Sequence, residues 1–116
     1  MSKKNVFVGG TFDDAAKRFV NVFERASRGE KVEAQDNVAF ASWAALSAVM
    51  TDKRHELLRH LHAHPTASIR ALARDLGRDY KRVHADVAAL VEVGLVEKDG
   101  RTLRVDYEEI RSVIAV

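Results

Sequence analysis

The stretch Ser68-Ile69-Arg70-Ala71-Leu72-Ala73-Arg74-Asp75-Leu76-Gly77-Arg78-Asp79-Tyr80-Lys81-Arg82-Val83-His84-Ala85-Asp86-Val87 decides the reading of the fold. Ser68 is suited to cap a helix in which Ile69, Leu72, Ala73 and Leu76 fall at i, i+3, i+4 and i+7, one apolar face of a 3.6-residue repeat. Gly77 ends that helix as a C′ residue does. Asp79 then caps a second helix whose buried stripe is Val83, Val87, Leu90 and Val91, and Gly94 stops it. Two short helices joined by a Gly-containing turn form a helix-turn-helix unit.

Working outward, Thr51 or Asp52 starts a support helix carrying Leu57, Leu58 and Leu61, closed by Pro65. On the other side, Leu95 to Lys98, then Asp99-Gly100, then Arg101 to Tyr107 read as a β-hairpin, with Asp-Gly as a type I′ turn. Asp106 is placed to cap a last helix from about Tyr107 to the C-terminus, with Ile110, Val113 and Ile114 turned inward. Support helix, two-helix unit, hairpin and closing helix in this order predict a winged helix-turn-helix over residues 51–116.

Residues 1–50 read as an N-terminal helix and strand extension. Phe12, Ala16, Phe19, Val20, Phe23 and Ala26 recur at spacings of three and four between Thr11 and Arg28, which predicts an amphipathic helix ended by Gly29. Rough alternation of Val32, Ala34, Val38 and Phe40 predicts one or two short strands, and Ser42 caps a short helix carrying Trp43, Leu46, Val49 and Met50. The fold class expected is therefore mainly α with a small β-hairpin. The stripe Phe12, Phe19 and Phe23 is either intramolecular core or, as a first helix outside the reading head favours, the dimerisation element.

Composition narrows the function. The chain has 116 residues, 47% of them hydrophobic and 31% charged, with one proline and six glycines, enough for one domain with a core and without the bias of a disordered chain. Cysteine is absent, which removes disulfides, thiolate zinc sites and cysteine nucleophiles. Val6-Phe7-Val8 before Gly9-Gly10 is too short for a signal-peptide core, and no run approaches a membrane span, so the cytoplasm is the expected compartment. The net charge of +2 is small. Its distribution is more informative, since Ser68 to His84 holds five basic residues against two acidic ones.

These positions point to double-stranded DNA. A helix fits the major groove when its outer face offers donors and acceptors to base edges. The candidates on the third helix of the reading head are Tyr80, Lys81, Arg82 and His84, with Arg78 in the turn before it. Arg70 and Arg74, four apart on the preceding helix, are placed to clamp the DNA backbone. Lys98, Arg101 and Arg104 lie on or beside the hairpin, Arg101 foremost. Tyr80 can pack on a sugar or against the second helix, and His84 is either a DNA contact or an ordinary exposed histidine. Asp86 either orients Arg82 or faces away from DNA. His60 and His64 form an i, i+4 pair of the kind that holds a metal, but no third ligand accompanies them, so no metal is expected. No phosphate-binding glycine loop or acid/base pair is present, so neither an enzyme nor a cofactor is expected.

Ser68 to Ala73, Gly77-Arg78-Asp79-Tyr80, Val83 to Val87 and Leu90 to Val96 resemble a family of prokaryotic transcriptional regulators. Asn37 to Ser42 and Met50-Thr51-Asp52-Lys53-Arg54 share the likeness, which runs from about Gly29 onward. Its winged helix is similar to those of MarR-type and ArsR-type proteins. The resemblance implies a regulator and, because members are often encoded beside small toxin genes, a possible antitoxin role with a cognate toxin as partner. The lack of cysteine departs from the metal-sensing ArsR-type proteins. The expected function is a homodimeric repressor acting at an operator, its own promoter first; the alternative is an antitoxin-like module that neutralises a partner protein.

Overall fold

The computed structural model describes residues 3–10 and 36–116, with Lys17, Val20, Glu24, Arg25 and 27–29 between them. Its elements run β1 (Lys3–Val8), β2 (Asp36–Phe40), α1 (Trp43–Val49), α2 (Asp52–Ala63), α3 (Ile69–Leu76), α4 (Tyr80–Glu92), β3 (Glu97–Asp99), β4 (Thr102–Arg104) and β5 (Glu109–Ile114). The expected helix from Thr11, with Phe12, Phe19 and Phe23, and the alternation at Val32 and Ala34 lie outside the described residues. Among those described there, Lys17, Val20, Glu24, Arg25 and Ser27 are helical. No helix of the described residues is long and apolar enough to cross a membrane.

Each of α1 to α4 starts where a side-chain oxygen takes up an orphan amide. Ser42 Oγ accepts from the Ala45 amide, Thr51 Oγ1 from Arg54, Ser68 Oγ from Ala71 and Asp79 Oδ2 from Arg82, at 3.1–3.3 Å. Between α3 and α4, Gly77 has φ +64, a left-handed conformation that costs a residue with a Cβ about 1 kcal/mol. It lets the Arg78 amide reach back to the Ala73 carbonyl (3.0 Å) and the Gly77 amide to Arg74 (3.1 Å), which closes α3 in a Schellman turn. The apolar faces of the helices meet in one core around Leu57, Leu61, Leu72, Val83, Val87 and Leu90, joined by Leu95 and Leu103 from the hairpin.

The hairpin differs from the expected turn by one residue. Asp99 pairs with Thr102, so Gly100 and Arg101 are the central pair, and only Gly100 has positive φ. That is the pattern of a type II′ turn, in which glycine at the first position supplies the twist the strands need. Thr66, in the loop between α2 and α3, bridges to Leu103 through two backbone hydrogen bonds of 3.1 and 2.8 Å, fastening the hairpin to the helices.

The larger correction concerns the chain's end. Residues 109–114 form a strand, not a helix capped by Asp106, and β5 pairs parallel with β1, as β2 does on the other side. The sheet order is β2-β1-β5, with Lys4, Val6 and Val8 of β1 buried. Spacings at Ile110, Val113 and Ile114 fit a helix, but β-branched side chains are stiff and pack well on a pleated surface, and the open edge of β1 gives their backbone a partner. The fold is thus mixed α/β rather than mainly α. Its sheet draws strands from both sides of the expected boundary at residue 50.

Polar contacts centred on two side chains, Asp86 and Tyr107, lock these parts together. Asp86 on α4 accepts from Arg54 Nε at 3.0 Å and Arg78 Nη2 at 2.7 Å, with all three side chains 15–18% exposed. Arg54 Nη1 also donates to the Val49 carbonyl (2.9 Å) at the end of α1. The Tyr107 hydroxyl donates to the Leu95 carbonyl at 2.7 Å, and Lys4 Nζ lies 5.3 Å over its ring, which ties β1 to the exit of α4.

Removing one partner of a buried charge cluster leaves the others uncompensated, so Asp86→Ala should lower the unfolding free energy by about 3 kcal/mol in a denaturant titration. Burial holds the Tyr107 hydroxyl well above the ordinary tyrosine range. Its folded pKa being raised, its contribution is fully present below about pH 10 and is lost as pH rises past that point, where the unfolded tyrosine ionises first. Ultraviolet titration of Tyr80→Phe, which leaves Tyr107 as the sole tyrosine, should therefore find ionisation only on unfolding; an ordinary tyrosine transition in the folded protein would contradict this.

Candidate nucleic-acid interface

The outer face of α4 is set by what its inner face buries. With Val83, Val87 and Leu90 in the core, the helix turns Tyr80, Lys81, Arg82, His84 and Ala85 to solvent. Lys81 and Arg82 have no ion-pair partner among the described residues. They sit in the first turn, where the helix dipole adds positive potential.

Tyr80 links α4 to α3. The Arg70 guanidinium lies 5.3 Å over its ring, and His84 stands one turn on with ring centroids 5.9 Å apart. An Arg over an aromatic face is held by the ring quadrupole while its donors stay available. Arg70, Tyr80 and His84 therefore make one exposed row across the two helices. Tyr80 thus lies against α3 through Arg70, with 43% of the residue still exposed. Arg74 is exposed on α3 and has no ion pair among the described residues.

Arg78 is the correction. Its side chain is turned inward and bonded to Asp86, so it anchors α4 and is not offered to a ligand. Asp86, expected to orient Arg82 or face away, instead spans Arg54 and Arg78. The cluster brings Arg54, 32 positions away, onto Asp86 and Arg78, which periodicity does not reveal. An acidic residue on a basic helix beside the buried stripe was the one available signal.

On the hairpin, Arg101 is exposed at the tip and Lys98 is exposed on β3. Arg104 is paired within the hairpin, 3.4 Å from Glu97, and stands 4.0 Å from Asp106. The histidines of α2 are separated by function in the fold. His60 Nε2 lies 3.4 Å from Asp75 on α3, without the alignment of a hydrogen bond, whereas His62 Nδ1 is 3.1 Å from the Val105 carbonyl. Among the described residues no three His, Cys, Asp or Glu side chains converge as metal ligands would.

The profile of the HVO_A0114 family matches residues 49–112, more than half of the chain. The protein belongs to the HVO_A0114 family. The matched segment begins at the end of α1 and takes in α2 to α4, the hairpin and most of β5, and so contains the Asp86 cluster, the exposed face of α4 and Tyr107. No curated protein and no solved structure matches the chain. For this HVO_A0114 member the two classes of arginine should separate in a denaturation experiment. Arg78→Ala should lower stability by about 3 kcal/mol, while Arg82→Ala should stay within about 0.5 kcal/mol of the wild type; equal effects would contradict the division.

Proposed function

We propose that this HVO_A0114 protein is a sequence-specific DNA-binding regulator with a winged helix-turn-helix of the kind found in MarR-type and ArsR-type proteins. It acts in the cytoplasm as a homodimer that represses its own promoter. In this reading α4 enters the major groove, with Lys81, Arg82 and His84 at base edges and phosphates. Arg70 and Arg74 hold the backbone from α3, and the β3–β4 hairpin lays Lys98 and Arg101 along adjacent phosphates.

The observation that carries the reading is the exposed first turn of α4. Two cations without ion-pair partners among the described residues stand there beside the Arg70-Tyr80-His84 row, while Arg78, in the turn before α4, is turned inward onto Asp86. A merely solvated helix has no need of a buried carboxylate that withdraws one arginine and fixes the orientation of the others. The hairpin, tethered through Thr66, presents Arg101 at its tip, as a backbone-following wing requires.

The test is a titration of the purified protein against duplex DNA from its own promoter, at two salt concentrations, with an unrelated duplex as competitor. Tight, salt-sensitive binding that survives the competitor is expected, and Lys81→Ala with Arg82→Ala should abolish it. Arg101→Ala should weaken binding to every duplex and reduce the log-log salt slope by about 0.9, the value for one lost phosphate contact. No preference for the promoter duplex would overturn the regulator reading in favour of an antitoxin-like module that binds a partner protein.

A further inference from the structure

Among the described residues β5 is an edge strand with one side paired. Its amide pattern follows from Ala115, whose N–H donates to the Val8 carbonyl at 2.9 Å. Successive residues of a strand turn their backbone groups to opposite sides, so 109, 111 and 113 face β1, and the amides and carbonyls of Ile110, Ser112 and Ile114 face away from the sheet. Natural edges are blunted by proline, lysine or a bulge, because a flat apolar edge invites another strand. Glu109-Ile110-Arg111-Ser112-Val113-Ile114 holds neither proline nor lysine, its two charges Glu109 and Arg111 pair with each other at 3.0 Å, and Val113 and Ile114 are 52% and 51% exposed. Beside the strand an open groove of about 790 Å³ runs between α1, α2 and the segment entering β5; Ile110, Ser112 and Trp43 border it, and Trp43 is 58% exposed.

The geometry points to a second copy of this chain as the occupant of that edge, its β5 pairing antiparallel with this one about a two-fold axis at Ser112. An axis normal to the sheet keeps each side chain on its own face, so only pairings between residues of like parity are allowed. Centred on Ser112, the outward backbone groups of Ile110 meet those of Ile114 of the partner subunit, Ser112 meets its own copy, and Ile114 meets the partner's Ile110. Ile110, Ser112 and Ile114 lie on the same sheet face as the buried row Lys4, Val6 and Val8. On that face Ile-x-Ser-x-Ile is its own complement and gives two cross-strand isoleucine pairs next to the groove.

Other centres fail. Pairing about Arg111 sets two guanidinium side chains directly opposite one another, which is unfavourable. Centring on Ile110 or Val113 runs the ladder past an end of β5. The Ser112 register sets each Arg111 opposite Val113 of the partner subunit, and Arg111 keeps its own ion pair with Glu109 at 3.0 Å. The result is one continuous six-stranded sheet, with the two α3–α4 units outside the seam. This deepens the dimeric reading above and moves the interface from Phe12, Phe19 and Phe23 to β5.

The test uses the full chain without DNA, so its outcome is separate from that of the promoter titration. By sedimentation velocity the wild type should be a dimer. Ser112→Pro removes one outward amide, leaves the amides bonded to β1 untouched, and sits where an edge strand tolerates proline; it should sediment as a monomer while retaining cooperative thermal unfolding. Ser112→Cys, in a chain with no cysteine of its own, would bring two Cα atoms to about 5.5 Å at a hydrogen-bonded antiparallel pair, within disulfide reach. Mild oxidation should then give a covalent dimer on a denaturing gel, whereas Thr102→Cys on the hairpin should not. A wild-type monomer, or a dimer that survives Ser112→Pro, overturns the proposal. Should Ser112→Pro fail to fold, the cross-link decides, and its absence at Cys-substituted Ser112 overturns it equally.

Discussion

The carboxylate of Asp86 accepts from Arg54 and Arg78 at once, and the placement of α4 depends on that sharing. Arg54 stands in the first turn of α2 and Arg78 in the turn before α4, so a single anion fixes the distances among the support helix, the turn and the exposed helix. Two guanidinium groups against one carboxylate leave an excess of positive charge in a largely buried place. The carbonyls of Ala48 and Val49 at the end of α1, which carry the negative end of a helix dipole, receive Arg54 Nη1 and offset part of it. Apolar packing of Val83, Val87 and Leu90 gives α4 its inward face, but apolar contact is non-directional. The hydrogen-bonded ions add direction, which sets the rotation at which Lys81 and Arg82 meet solvent.

The sheet depends on the helical unit in a similar way. β1 lies between two strands that come from widely separated parts of the chain, and the connection from β2 to β5 contains α1 to α4 and the hairpin. Tyr107 stands at the junction. Its hydroxyl satisfies the Leu95 carbonyl just past the end of α4 while its ring receives Lys4 of β1, so the entry to β5 and the exit from α4 are fixed by one side chain. Tyr107 thus joins the exit of α4 to the sheet.

Local chemistry was legible wherever it was strong. Ser42, Thr51, Ser68 and Asp79 were readable as caps because an oxygen two or three residues before a helical stripe can serve little else there, and Gly77 because the turn after α3 needs positive φ. The stripe Val83, Val87, Leu90 likewise gave the buried face of α4, and by difference the exposure of Tyr80, Lys81, Arg82 and His84. The hairpin was legible to within one residue: glycine marks the turn, but which of its neighbours shares the loop depends on the pairing of Glu97 with Arg104 across it. The charge of Arg78 read as a surface feature, since nothing local distinguishes an arginine that faces water from one that meets an aspartate eight positions on.

What the sequence by itself determined, then, was the four helices between Trp43 and Glu92, their ends and their buried faces, because caps, glycines and a 3.6-residue period act within a few residues. The tertiary structure decided the conformation of residues 109–114, whose spacing suits a helix and whose β-branched side chains suit a strand; the open edge of β1, about a hundred positions earlier in the chain, settled the conflict by pairing with their backbone. It also decided which basic side chains remain available, since ion pairing with Asp86 depends on the meeting of α2, the turn and α4 in space. Both outcomes rest on contacts between distant segments, whose energy exists only once the chain has folded.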